Sequence, residues 1–244
     1  MKAKSSIWVM GMLQLAFLLP PRFTEAQQTQ TYSDAWLLLL NHVELSDHWV
    51  LGNELHWRST HFLDDKEQLL IRPFVTYCTQ HVDYSTGYSY IRSFPYKSEV
   101  IQLARPEHNV WEQLTMKHQS GKFSFAHRYR LEHRFQGVLV ETANEPKVEN
   151  YAFSNRFRYR LTMKHLIGER YFIHAFNEVW VRMNGDFGQG KFDRNWIYVG
   201  LGRKIKKGAN IQLAYLHQSI QLSSGGYERH PTLQLTLQYD FLKH

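Results

Sequence analysis

The sequence predicts an all-β fold, an antiparallel transmembrane β-barrel, and three observations carry that prediction. The first is the stretch Phe123 to Phe135, in which Phe123, Phe125, Tyr129, Leu131 and Phe135 fall on one face with His127 and His133. Ser124, Ala126, Arg128, Arg130, Glu132 and Arg134 fall on the other. A period of two means a strand, because successive side chains point to opposite sides of the backbone. The second is strand length: segments of this kind exceed the usual five or six residues of a soluble sheet and suit a tilted bilayer span of about 9–11 residues. The third is composition by face. One face is aromatic and aliphatic, with Tyr and Trp crowding strand ends as interfacial girdles do. The opposite face is rich in Arg with Glu, Asn and Gln, while most lysines sit in turns or near strand ends.

Residues 1–26 read as a secretory signal peptide: Lys2 and Lys4, an apolar run from Ile7 to Leu19, then Thr24-Glu25-Ala26 before Gln27. The apolar run is too short to cross about 30 Å of hydrocarbon as a helix. The expected organisation is therefore a leader, 1–26, and one barrel domain, 27–244. Beyond the leader no apolar stretch approaches about 20 residues, so membrane-spanning helices are not expected. A single cysteine, Cys78, excludes an intrachain disulfide and a cysteine-based metal cluster. The net charge of +7 admits anionic partners. The leader directs that expectation away from nucleic acid and toward the envelope.

Taken in order, Asp34–Ser46 opens the barrel and is apolar on both faces, which leaves its orientation open. Ser46-Asp47-His48 is a turn, and Trp49–Arg58 alternates Leu51, Leu55 and Trp57 against Glu54, His56 and Arg58. A polar loop, Ser59–Lys66, precedes Glu67–Cys78, whose Pro73 suggests a bulge or strand edge because proline cannot donate to the ladder. His81–Arg92 sets Val82, Tyr84, Tyr88 and Tyr90 against Asp83, Ser85, Gly87 and Ser89. A long loop, Ser93–Pro106, leads to Glu107–His118, the least regular strand. Gln119-Ser120-Gly121 turns the chain into Phe123–Phe135, and a loop over Gln136–Glu149 follows. Asn150–Lys164 sets Phe157, Tyr159, Leu161 and Met163 against Arg156, Arg158 and Arg160. Tyr171–Arg182, Phe192–Ile205, the strand around Ile211–Tyr215, and Thr232–Phe241 complete the set. Eleven candidates result. Bacterial barrels carry even numbers with both termini on one side. The reading therefore settles on twelve strands, with ten as the alternative.

The segments H-R-Y-R-L-E-H-R-F (His127–Phe135), R-F-R-Y-R-L (Arg156–Leu161), F-N-E (Phe176–Glu178) and F-D-R-N-W-I-Y-V-G-L-G (Phe192–Gly202) carry a family resemblance. From Trp36 to Phe241 the chain resembles the bacterial proteins grouped as domain of unknown function 2490. The resemblance implies an outer-membrane β-barrel and supplies no catalytic residues. One departure is that Leu242-Lys243-His244 follow the final aromatic, Phe241.

The chemistry that stands out is a charged array expected to line the lumen. It comprises Glu54, Arg58, Arg72, Glu112, Arg128, Arg130, Glu132, Arg134, Arg156, Arg158, Arg160 and Glu178. Such an array either sets the selectivity of a narrow anion-attracting pore or packs a narrow barrel with ion pairs. Fourteen histidines show no metal-ligand spacing; His56 and His174 are expected to face inward, and His127 and His133 outward. Ser124 and Ser154 are serine-nucleophile candidates by residue type alone, without a triad partner. No cofactor or metal is expected. The expected setting is the bacterial outer membrane, with bilayer, lipopolysaccharide and the barrel-assembly machinery as partners. Two alternatives stay open: a membrane-embedded lipid or lipopolysaccharide hydrolase, and a soluble lipocalin-like carrier whose aromatic face points inward.

Overall fold

The computed structural model describes residues 29–95, 103–140, 146–183, 191–222 and 226–241; the leader, 1–26, lies outside them. Twelve strands are present: β1 (Thr29–Thr31), β2 (Asp34–Glu44), β3 (Trp49–Thr60), β4 (Asp65–Cys78), β5 (Val82–Ser93) and β6 (Arg105–Ser120), then β7 (Phe123–Val140), β8 (Lys147–Ile167), β9 (Tyr171–Arg182), β10 (Lys191–Lys206), β11 (Ala209–Gln221) and β12 (Tyr227–Phe241). Each strand from β2 to β12 pairs antiparallel with the next in sequence, and β12 closes the circuit on β2 in parallel. Twelve strands is the number expected. Eleven of them form the barrel, and β1 lies outside the circuit.

The parallel seam follows from that count. Eleven strands that alternate in direction leave the first and last pointing the same way, so they meet in parallel. The two ends of the described chain therefore lie at opposite rims. Strand β1 extends the seam: Thr29 faces Tyr227 and Asp34 faces Thr232 in one uninterrupted register on β12. Between the two segments the Tyr32 amide donates to the Arg229 carbonyl at 2.9 Å.

One rim carries tight hairpins, three of which place Gly121, Gly168 and Gly208 at positive φ, where side chains are disfavoured. The other carries the longer connections, except that β3 and β4 are joined by only four residues, 61–64. There His61 and Phe62 take φ of 48° and 65°, and the Phe62 amide is held by the Ser33 carbonyl at 2.6 Å. Pairing runs further than alternation indicated. Strands β7 and β8 continue to Val140 and from Lys147, so much of the expected loop Gln136–Glu149 is hairpin. Likewise β11 reaches Gln221 and β12 starts at Tyr227, shortening the expected loop Ser219–His230. Backbone pairing needs no alternation of side chains, and in β7 the register shift between Val138 and Leu139 breaks the period. Pro73 lies inside β4, and the ladder to β5 skips Arg72 and Pro73 without changing register.

The two faces are sorted in reverse of a soluble protein. Val199, Leu201, Leu213 and Tyr215 are each more than half exposed, whereas Arg130, Glu132, Asn109, Glu178 and Gln218 are buried. The alternation in β12 shows it residue by residue: Leu233, Leu235 and Leu237 point out, and Gln234 and Thr236 are buried. Strand β2, ambiguous in sequence, turns Trp36, Leu38 and Leu40 toward the internal cavity.

Candidate functional site

Strands β7 and β8 pair so that Arg128 faces Arg160, Arg130 faces Arg158 and Glu132 faces Arg156. Like charges placed opposite each other destabilise a sheet, so buried carboxylates have to intervene. Glu132 accepts from Arg156 Nε at 2.8 Å and from Arg158 Nη1 at 2.5 Å. Glu178, on β9, accepts from Arg128 Nη2 at 2.5 Å, Arg158 Nε at 2.8 Å and Arg160 Nε at 2.8 Å. Arg158 therefore links the two carboxylates, and both are completely buried. Two further pairs extend the array: Arg134 holds Glu107 with two bonds, 2.8 and 2.7 Å, and Arg72 reaches Glu54 at 2.6 Å.

A fifth carboxylate enters through an irregularity. The β9–β10 register shifts between Phe192 and Arg194, and such a bulge sets two successive side chains on one face. Asp193 thereby joins Arg194 on the buried side, within 3.5–3.7 Å of Arg156, Arg182 and Arg194. In all, eight arginines share five carboxylates.

Arg58, Arg130 and Lys164 reach no carboxylate within salt-bridge distance among the described residues. Arg58 lies over the Trp36 ring at 3.9 Å and donates to Gln68 at 2.7 Å. Arg130 covers Trp111 at 4.0 Å and donates twice to Gln113, at 2.9 and 2.7 Å. Lys164 sits over Phe172 at 4.2 Å. Guanidinium stacked on an aromatic face keeps a partner while leaving its charge uncancelled. The buried Glu67, which accepts from Trp36 Nε1 at 2.9 Å, is a sixth acid beside Arg58, so the eleven cations of the site face six carboxylates.

Of the twelve residues expected to form the array, eleven lie on the buried face or the cavity wall. Glu112 does not. Its side chain is 58% exposed on the outer face. The β6–β7 register pairs it with Leu131 and so fixes it on the same side as that residue. There it meets His133 Nε2 at 3.3 Å, and His133 Nδ1 lies 2.7 Å from Asn155 Oδ1. The residues of β6 that do face inward include Glu107, Asn109, Trp111, Gln113 and Thr115, and none of them figured in the expected array. His174 lines the cavity, and His56 lies 3.1 Å from Glu54. Neither Ser124 nor Ser154 bonds a histidine among the described residues.

These side chains enclose two cavities, of about 370 Å³ and about 410 Å³. Glu54 and Arg128 border both. The first extends to the tight-turn rim, where Lys164, Phe172, Asn210 and Gln238 contribute to its wall. At the opposite rim the β2–β12 side of the interior is filled. His230 lies 2.8 Å from Asp34 and 3.5 Å from Glu228 and stacks on Tyr32, all of them buried. Below this knot Trp180 packs on Trp196 with ring centres 4.6 Å apart, and Trp36 meets Trp196 edge-on at 5.6 Å.

Among the described residues no three His, Cys, Asp or Glu side chains are arranged to hold a metal ion. The geometry offers a charged, cation-rich chamber, filled at one end on the β2–β12 side. No curated protein and no solved structure matches the chain. Residues 33–229 match the family described as protein of unknown function DUF2490, and the chain belongs to that family.

Proposed function

We propose that this protein is a non-enzymatic β-barrel of the bacterial outer membrane whose interior is an anion-receiving chamber packed by ion pairs, not an open pore. The observation that carries the proposal is the sharing of five carboxylates among eight arginines beside three cations that reach no carboxylate within salt-bridge distance among the described residues. A cluster balanced for stability alone would pair each guanidinium with its own acid. Here the surplus charge borders empty volume, where a diffusible anion completes the set. The filled rim around Asp34, Glu228 and His230 favours a dead-end chamber over a conducting path. The exposed apolar face supports the membrane setting, with bilayer and lipopolysaccharide around the wall and the assembly machinery inserting it. That same exposure weighs against a soluble carrier, whose aromatic face would point inward.

The test is a titration of the purified, detergent-solubilised protein with inorganic phosphate at constant ionic strength, followed by tryptophan fluorescence. Trp36, Trp180 and Trp196 line the chamber and report on it. A saturable change that is weakened in Lys164→Gln is expected. A response that tracks ionic strength alone, or steady large single-channel currents from wild-type protein in planar bilayers, would contradict the chamber.

A further inference from the structure

The chamber is chemically sorted by strand. Its β7–β8 side is cationic: Arg128 and Arg160 share the single carboxylate of Glu178 with Arg158, and Lys164 has none. Strands β9 and β10 come next and present an aromatic strip. Phe176 stacks on Tyr198 with ring centres 4.4 Å apart, and Phe172 lies toward the tight-turn rim. Strands β11 and β12 then present amides: Asn210, Gln212, Gln234 and Gln238, with Thr236 among them. Gln212 is tied to Tyr198 and His174. The amide nitrogens of Gln234 and Gln238 donate within their own strand, to Thr236 at 3.0 Å and to Asp240 at 2.9 Å. The carbonyl oxygens of those two glutamines accept no bond among the described residues.

Each of the three strips asks for a different part of one ligand. Cations in surplus ask for an acid group. A row of amides, each both donor and acceptor, matches hydroxyls, which are also both. Between them lie the edges of the Phe176–Tyr198 stack, whose Phe176 face is covered by the Arg160 guanidinium at 3.9 Å, an apolar border for ring C–H groups. A fatty acid would find no apolar tunnel here, and an inorganic anion would leave the amide row unused. The volume, about 370 Å³, is at the lower end for small-ligand sites, about 300–1,000 Å³.

We infer that the chamber binds a small acidic sugar, one or two rings bearing a carboxylate or phosphate. The acid group points to Arg128, Arg160 and Lys164, the hydroxyls meet Gln234 and Gln238, and the edges of the Phe176–Tyr198 stack border the ring between them. This inference rests on the anion-receiving reading and narrows it to a substrate class.

The experiment titrates the purified protein with glucuronate, glucose and inorganic phosphate at constant ionic strength. The same titrations are run on the Gln234→Leu/Gln238→Leu double variant and on Lys164→Gln. Unchanged electrophoretic mobility of unheated samples shows that each variant is folded. Glucuronate is expected to bind at least about tenfold tighter than glucose or phosphate, as one or two good polar contacts supply. The double variant is expected to lose about tenfold toward glucuronate and nothing toward phosphate, whereas Lys164→Gln weakens both. Phosphate binding as tightly as glucuronate, with the amides irrelevant, would overturn the sugar and leave the anion chamber standing. Glucose binding as tightly as glucuronate would overturn the acid requirement. Binding of none of the three would remove the inference and the chamber together.

Discussion

The two halves of the barrel interior solve one packing problem by different chemistry. Strands β7, β8 and β9 fill their half with charge, through Glu132 and Glu178 and the guanidiniums around them. Strands β10, β11, β12 and β2 fill theirs mainly with neutral groups, the Asp34–Glu228–His230 knot and the Asp193–Arg194 bulge apart: Trp36, Trp196, Tyr198, Ala214 and Leu216 form one cluster with Trp180, edged by Gln218 and Thr232. The neutral half resembles a conventional core, in which each side chain contributes through its own contacts. The charged half does not divide that way, because one carboxylate answers for several arginines. Its members stand or fall as a set.

That difference is sharpest at Glu178. Replacing it with Ala strands Arg128 and Arg160 and leaves Arg158 with Glu132 alone, at an expected cost of about 3–5 kcal/mol in denaturant unfolding. A cost below about 1 kcal/mol would mean that water or another acid replaces the carboxylate, and the contrast between the halves would dissolve. On the neutral side, Gly202 lies beneath Phe172, its cross-strand partner, so closely that a Cβ would overlap the ring. Gly202→Val is expected to cost about 1–3 kcal/mol by overpacking. Because Phe172 also forms the chamber wall, this variant should lose phosphate response as well as stability.

A third variant compares two glutamates on opposite faces. Glu178 is enclosed by arginines, whereas Glu112 stands on the apolar outer wall beside His133. Flanking residues on that wall are Val110, Leu114 and Leu131. Glu112→Leu is expected to stabilise the lipid-reconstituted protein by about 1 kcal/mol, since a lipid-facing acid is unfavourable. The sign is the informative part. Destabilisation would show that the Glu112–His133–Asn155 row holds the wall together.

Much of this was legible in the sequence because period-two alternation is set by the backbone itself. Most of the barrel strands show it, β2 and β6 excepted, and the facing arginines of β7 and β8 follow from their parity. Strand β6 was blurred because each face carries one intruder: Trp111 inward among polar residues and Glu112 outward among apolar ones. That pair explains how Glu112 came to be assigned to the interior while Glu107 was passed over. Asp193 had no signal, because a bulge changes parity without changing composition. The parallel seam lay in the odd count of barrel strands, and β1 is too short to alternate.

The most direct test of a barrel with its apolar face in lipid and its charges inside is electrophoretic mobility. The outer-membrane fraction is run in detergent, heated against unheated. A band in that fraction that shifts on boiling is expected, because a closed, ion-paired barrel resists the detergent until heat opens it. A protein found in the soluble fraction, with no heat-dependent shift, would contradict the account at its centre.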